Sequence, residues 1–565
     1  MFKFIRGLLL SVTIVFIFTV NGNAQVQTDV PALKDVFAND FKFGCLLSYA
    51  HIGFPTDPPV PGQSSVVDPD GGYLIKHHMN SMSPGNWMKS TYIVDISGSA
   101  TAYSAASTQE ERDSIDVHPI VTFNGNIIAQ LNWAQRQGFV FRGHTLVWHN
   151  QNPGTAFFRS GYTTGGTRLT KEQMTERMKN FIKEVIRIIH EGWPGLLTAM
   201  DVVNEAVNDD GTDRTANNEW YTTFGDISFV MKAFEFTRYY TELYGETQMK
   251  LYYNDYNTHL SAKADGIVRI CQPIYDAGYL DGIGMQDHDQ YNSPTAQQWI
   301  ASYDKFYPIC DEMAVTEFDV KPSSDNLTPS VLTTQANQYA MLVKCFLDRS
   351  YQSGRGKIIN VSKDGLNDNW AFVKKASLWD EDNQCKPAYY EVVELVENYY
   401  SLDSLLAVAD SLEESEYTSE SWAEFETAHS AAQSAMSSNY SYLVSAADEL
   451  GEARDTLQSA IDNLNISGIY TSNKTAIVEN FILGQNYPNP FNPVTTIEFS
   501  LPEAREIDLI VYDLLGNTVA ELANGKYGAG NHKVSFNASQ LSSGIYFYAL
   551  SAGDFKSVKK LMVVK

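Results

Sequence analysis

Apolar and polar positions along this chain change rhythm three times. From about residue 30 to 398, short apolar runs of strand length alternate with stretches whose apolar residues recur every three or four positions. The runs "FRGHTLVWH", "LTAMDVVNEA", "MKLYYNDYN", "LDGIGMQDH" and "MAVTEFDV" predict buried strands. Lys171 to His190 and Ile227 to Leu243 are among the helical stretches between them. Strands alternating with helices predict a parallel sheet. About 370 residues suit one (β/α)8 barrel with insertions. The polar, strand-poor stretch from Thr91 to His118 is the expected insertion.

From residue 400 to 466 cysteine, glycine and proline almost vanish. Leu443, Ala446, Ala447, Leu450, Ala453, Leu457, Ile461 and Leu464 form one apolar helical face. From residue 483 the rhythm becomes that of short β runs punctuated by Gly, Asn and Pro, such as "TTIEFSL", "EIDLIVYDLLG" and "GIYFYALSAG". The predicted fold is therefore an α/β chain. A (β/α)8 TIM barrel over 31–398 is followed by a small helical bundle module over 400–466 and an all-β sandwich over 483–565.

The N-terminus, "MFKFIRGLLLSVTIVFIFTVNGNAQ", has a basic start at Lys3 and Arg6, an apolar core from Leu8 to Val20, and small residues at Gly22 and Ala24. That order predicts a secretory signal peptide over 1–24. The apolar core is short for a membrane span, so none is expected after cleavage.

A net charge of −26 argues against nucleic acid and anionic membranes as partners. The middle region carries much of it, with thirteen acids against Arg454 alone. The five cysteines are odd in number and match no metal motif. Export permits a disulfide, but the spacing does not pair them. No organic cofactor and no catalytic metal is expected. Asp209, Asp210 and Asp213 share one loop and are read as solvated, with a structural Ca²⁺ as the alternative.

Candidate chemistry gathers where the predicted strands end: His144, Trp148 and His149; Asn204 and Glu205; Asn254, Asp255 and Asn257; Gln286 and His288; Glu317 and Asp319. Barrel enzymes carry their sites at those ends. Two carboxylates facing across a barrel mouth can hydrolyse a glycosidic bond, one as acid/base and one as nucleophile. Glu205 and Glu317 are the candidates, because a bare Glu in a buried run is otherwise costly. Glu317 and Asp319 project to the same side of a strand. Asp319 is expected to orient His288, whose imidazole then holds Glu317 ionised for attack. Asn204 is placed to bond a sugar 2-hydroxyl. Trp148, Tyr256 and Trp370 are candidate stacking platforms, although each taken alone suits a core better than a platform. A lone strand-end Glu is ordinarily a salt-bridge partner. The coincidence of five furnished strand ends weighs against that here.

The series "FRGHTLVWHNQNP", "DVVNEAVNDDG", "LYYNDYN", "DGIGMQDH" and "VTEFDV" resembles the motifs of glycoside hydrolase family 10, the endo-β-1,4-xylanases, in family order over roughly residues 31 to 398. The resemblance implies a (β/α)8 barrel and retaining hydrolysis of xylan. It puts Glu205 on the acid/base and Glu317 on the nucleophile. It puts His144, Trp148, Asn204, Gln286 and His288 on substrate-binding or catalytic-support positions. "PGNWMKS" matches the family's second-strand motif at Asn86 and Lys89, with Gly85 where a Glu is usual. "VSKDGLNDNW" has Asp364 where a Trp is usual, with Trp370 standing for a second Trp. These departures bear on the substrate cleft and leave the two-glutamate chemistry intact.

The cue "YTSESW" followed by alanine-rich helices resembles a small three-helix module of secreted proteins, read as a spacer or a weak glycan binder. The tail, "LGQNYPNPFNPVTTIEFSLP" through "KSVKKLMVVK", resembles the C-terminal sorting domain of the type IX secretion system. The resemblances together imply a secreted or surface-attached monomer, exported through the outer membrane by that machinery and acting on xylan or a related β-1,4-linked polysaccharide. A β-1,4-glucanase or mixed-linkage hydrolase, and a surface glycan-binding protein without catalysis, remain alternatives.

Overall fold

A computed structural model describes residues 26–46, 69–350, 356–466 and, in the tail, 481–563 apart from 487, 490, 492, 514–516, 542, 543 and 554. The expected signal peptide and part of "YPNPFNP" lie outside the described residues. The chain divides into two compact units, residues 1–465 and 466–565.

Among its described residues the first unit forms nine strands: β1 Lys42–Leu46, β2 Ser81–Ser83, β3 Val140–Trp148, β4 Leu197–Asn204, β5 Lys250–Asp255, β6 Gly282–Met285, β7 His288–Gln290, β8 Glu312–Lys321 and β9 Lys357–Lys363. Strands β1 to β6 pair in sequence, β6 pairs with β8, β8 with β9, and β9 returns to β1, all in parallel. The result is a closed eight-stranded barrel. Strand β7 adds a short pairing above it, with His288 in register with Asp319. The run "DVVNEA" is strand as far as Asn204.

Helix periodicity translates directly into packing. Helix Lys171–Gly192 starts at a capping box in which Thr170 and Gln173 satisfy each other's backbone N–H groups. Its Met174, Met178, Phe181, Ile182, Val185, Ile186 and Ile189 all lie in the core. The expected insertion is helical, with Ile96–Ala105 and Gln109–Val117. Helix Pro387–Ala409 runs unbroken through the boundary expected near residues 398–400. Helices Ser419–Ser437 and Ala446–Asp462 join the same apolar core, through Phe425, Ala432, Leu450 and Leu457.

The second unit is antiparallel. Strands β10 Ile482–Leu483, β11 Val494–Leu501 and β14 Gly530–Asn537 form one sheet. Strands β12 Arg505–Tyr512, β13 Thr518–Tyr527, β15 Gly544–Ala552 and β16 Phe555–Val563 form the other. Alternating residues from both, such as Ile497, Phe499, Leu509, Val511, Tyr548 and Leu550, make the core of a sandwich. No helix among the described residues is long and apolar enough to cross a membrane.

Candidate active site

The C-terminal ends of the barrel strands open into a cavity of about 850 Å³. Glu205 and Glu317 both line it, from β4 and β8. Glu205 follows the last residue of β4 and takes φ 57°, the left-handed region that a non-glycine residue adopts only at a cost of about 1–3 kcal/mol. Its N–H is fixed by the Asn254 carbonyl at 2.9 Å, which anchors this turn of the chain.

Neutral donors surround the Glu205 carboxylate. Its Oε1 accepts from Gln286 Nε2 at 3.0 Å and from Asn204 Nδ2 at 3.2 Å. Its Oε2 accepts from Trp148 Nε1 at 3.0 Å. His149 Nδ1 stands 3.9 Å away. Burial pushes the His149 imidazole down to about 4 against the pull of Glu205, so this ring is neutral at neutral pH.

Glu317 has a different environment. Its Oε2 lies 3.2 Å from His288 Nε2, and His288 Nδ1 lies 3.1 Å from Asp319 Oδ2. Burial by itself would raise the pKa of Glu317. The hydrogen bond and charge of His288, helped by His144 and Arg142, outweigh it and pull the carboxyl down to about 2. Burial would conversely lower His288, but its bonds to Asp319 and Glu317 hold it well above the usual histidine range. Burial raises Asp319, opposed by His288 and Lys363. One imidazolium thus sits between two carboxylates on one edge of β8.

An amide relay connects the two glutamates. Asn204 Oδ1 accepts from Gln286 at 3.2 Å and from Asn254 at 3.0 Å, and Asn254 Nδ2 also reaches Glu317 Oε1 at 3.3 Å. Asn254 has room because a glycine, Gly284, faces it: a Cβ there would stand 2.3 Å from Asn254 Oδ1. The same Asn254 is held by Thr316 Oγ1 at 2.8 Å.

The remaining expected residues distribute around this centre. Asn86, Lys89, Trp148, Tyr256, Gln286 and Trp370 line the cavity. Lys89 Nζ donates to Asn86 Oδ1 and Gln151 Oε1, both at 2.7 Å, and lies 4.7 Å from the centroid of the Trp148 ring. Tyr256 is pinned by Arg214, which donates to its hydroxyl at 2.8 Å, and by Lys263, 3.4 Å from its ring centroid. His144 is buried beneath the cavity, 2.7 Å from Asp201, which also pairs with Arg142. The Trp370 ring is 38% exposed at the mouth.

Two features, Phe372 and Lys263, were hidden in the pattern, whereas Asp364 stood out in it. Phe372 lines the cavity at 84% exposure, its ring 6.3 Å from that of His288. Asp364 lies inside the cavity. Lys263 holds Asp255 and Asp209 at 2.9 and 3.0 Å. No periodic signal marks the loop that carries Phe372. The acids of the 209–213 loop have side-chain or backbone partners: Asp209 pairs with Lys263, Asp213 with Arg269 at 2.7 Å, and Asp210 accepts from Thr212. The five cysteines are unbridged, with Cys385 alone half-buried and the other four buried.

A closed parallel barrel with two carboxylates of opposed environment at its C-terminal mouth defines a glycoside hydrolase. Residues 32–395 match Glycosyl hydrolase family 10, and the chain belongs to that family. Residues 485–564 match the secretion system C-terminal sorting domain, which directs type IX export to the cell surface or beyond. The chain is 31% identical over 412 residues to endo-1,4-beta-xylanase Y of Acetivibrio thermocellus, covering 68% of this chain and 35% of that relative. It is 32% identical over 288 residues to a protein of Caldicellulosiruptor saccharolyticus named as a putative endo-1,4-beta-xylanase, covering 49% of this chain and 90% of that relative. Among solved structures it resembles the CBM22-1 and GH10 modules of endo-1,4-beta-D-xylanase 10B of Clostridium thermocellum in complex with xylohexaose. The TM-score is 0.55 at 28% identity, over 67% of this chain and 69% of that one. An intracellular xylanase of Thermoanaerobacterium saccharolyticum with xylotriose gives a TM-score of 0.53 at 25% identity, over 65% of this chain and all of that one.

Proposed function

We propose that this chain is an exported retaining endo-β-1,4-xylanase in which Glu317 is the nucleophile and Glu205 the acid/base. The observation that carries the reading is the contrast between the two carboxylates. Glu317 is held ionised by the His288 imidazolium, as an attacking group requires. Glu205 is bonded to amide and indole N–H groups and, among the described residues, to no cation within hydrogen-bond reach.

In the first step Glu205 donates its proton to the leaving glycosidic oxygen while Glu317 attacks the anomeric carbon, forming a covalent glycosyl-enzyme. In the second step Glu205 takes a proton from water, whose oxygen attacks the same carbon and releases Glu317. Asp319 acts through His288. Asn204, with its amide fixed between Gln286, Asn254 and Glu205, is placed to meet the sugar beside the nucleophile. Trp148, Tyr256 and Trp370 offer ring faces and Asn86 and Lys89 serve hydroxyl contacts, while His144, expected to bind substrate, is buried against Asp201 outside the cavity lining and acts electrostatically on Glu317. The relatives' names as xylanases support xylan as the substrate; the working partners are xylan and the type IX machinery, with the protein acting as a monomer.

The test is reducing-sugar release from β-1,4-xylan by the parent and by Glu317→Ala and Glu205→Ala. The parent should cleave, both variants should lose several orders of magnitude, and the first-formed product anomer should retain the substrate's configuration. An active Glu317→Ala variant would overturn the assignment. A β-1,4-glucan is the second reading, because Gly85 and Asp364 both line the cavity where the family usually carries larger side chains. Faster cleavage of cello-oligosaccharides than of xylo-oligosaccharides would establish it instead.

A further inference from the structure

Asp364 follows the last residue of β9 and stands in the cavity beside the nucleophile. It is 6% exposed, yet it has no cationic partner at ion-pair distance among the described residues. Carboxyl and imidazole atoms of His288, Asp319 and Asp364 all lie within 4.8 Å of one another. Its Oδ2 accepts the Phe372 N–H at 3.1 Å, which ties down the loop whose Phe372 and Trp370 rings edge the cavity. That bond occupies one oxygen only, and a neutral Asn would make it equally well. A buried acid next to two other acids is an expensive way to cap a loop. The carboxyl therefore has a use that a loop contact does not supply.

We propose that Asp364 is a substrate-binding residue, whose cavity-facing oxygen bonds a hydroxyl of the neutral sugar seated beside Glu317. This deepens the reading of the cleft as a polysaccharide hydrolase site and rests on it. The group is suited to the task because its surroundings leave it free to change state. Burial pushes its pKa up to about 7; His288 opposes this, the charges of Asp319 and Glu317 add to it, and the Phe372 amide opposes it. Lys363, on the same strand, and Lys89, across the cavity, are the other charges that feel it. Above neutrality the carboxylate, a charged acceptor, accepts a hydrogen bond from the sugar hydroxyl. Below it the neutral acid makes a weaker contact. Substrate affinity then carries its own pH dependence, separate from that of the two glutamates.

The experiment is kcat and KM for xylotetraose between about pH 5 and pH 9, with full-length parent, Asp364→Asn and Asp364→Ala. For the parent, KM should fall as pH rises through about 7. Asp364→Asn, which keeps the Phe372 contact, should abolish that change and raise KM roughly tenfold above neutrality with kcat within about twofold, the scale of one hydrogen bond to a charged group. Asp364→Ala should show the same KM effect plus a lower melting temperature. A KM for Asp364→Asn equal to the parent's at every pH overturns the inference, as does an equal loss at every pH. A parent inactive on both xylotetraose and cellotetraose overturns the hydrolase reading and this inference with it; an active parent with an indistinguishable Asn variant overturns the inference alone.

Discussion

His288 Nε2 lies 3.2 Å from Glu317 Oε2, while the opposite ring nitrogen is held at 3.1 Å by Asp319. The relationship fixes both the charge of Glu317 and the direction in which it points. In the proposed mechanism Glu317 attacks only when ionised, and its pKa is depressed to about 2. Activity dependent on it is therefore complete above that value and is lost as pH falls through it. Replacing His288 by Gln removes the charge and leaves a neutral donor. The acid limb of kcat/KM should then move up toward the ordinary carboxylate range, and the rate at neutral pH should fall about 100-fold. A pH–rate profile of His288→Gln checks this; an acid limb left where the parent has it would refute the arrangement.

The same depression contributes to stability. An unfolded Glu titrates near about 4.3, and folded Glu317 near 2. Because the folded value is the lower one, the contribution is present above about pH 4.3 and disappears as pH falls toward 2. Its size is on the order of 3 kcal/mol, the cost of burying the carboxylate being already contained in the shifted pKa. Urea unfolding of the parent and of Glu317→Gln across that window should show a steeper acid loss in the parent. Parallel curves would mean that Glu317 is not the group that titrates.

Lys263 is fully buried and touches both Asp255 and the Asp209 of the loop after Glu205, with its ammonium over the Tyr256 ring. Burial already raises Asp255 to about 6 even with Lys263 in place. Lys263→Met strands that carboxyl without its cation and should destabilise the barrel by about 3 kcal/mol. Adding Asp255→Asn should recover part of the loss, since the stranded charge is then gone. Chemical denaturation of the two single variants and the double variant measures the coupling; strict additivity would rule it out.

The strand ends were readable because buried parallel strands are nearly all apolar, so Glu205, Gln286 and Glu317 stood out against Val, Met and Ile. The spacing of Glu317 and Asp319 predicted a common side, and His288 meets both. Other features depended on folding geometry that spacing does not encode. Phe372 sits in an irregular loop held by Asn367, Asp368 and the Asp364 carboxyl, so no period announces it. Lys263 reads as an ordinary helix lysine until β5 and the loop after β4 converge on it. The apolar face expected from Leu443 to Leu464 is helix from Ala446 to Asp462, with Leu443 outside it and 70% exposed, and the pattern did not show that the barrel's own last helix covers that face together with helix Ser419–Ser437.

That last point changes where the catalytic unit can be cut. Helix Pro387–Ala409 crosses the boundary expected near residue 398, and Leu402, Leu406 and Ala409 beyond it are buried. Asn398 Nδ2 donates to the Ala447 carbonyl at 2.9 Å, and Asn337 Nδ2, on the preceding barrel helix Pro329–Ser350, donates to the Tyr442 carbonyl at 3.0 Å. Ending the chain at residue 398 would remove these partners together with the buried Leu402, Leu406 and Ala409. A chain of residues 25–466 should melt several degrees above one of residues 25–398, because exposing a few large apolar side chains costs about 1.5–3 kcal/mol each. The shorter chain should also aggregate sooner on heating. Equal melting temperatures and equal solubility would show that the helices are a detachable spacer after all.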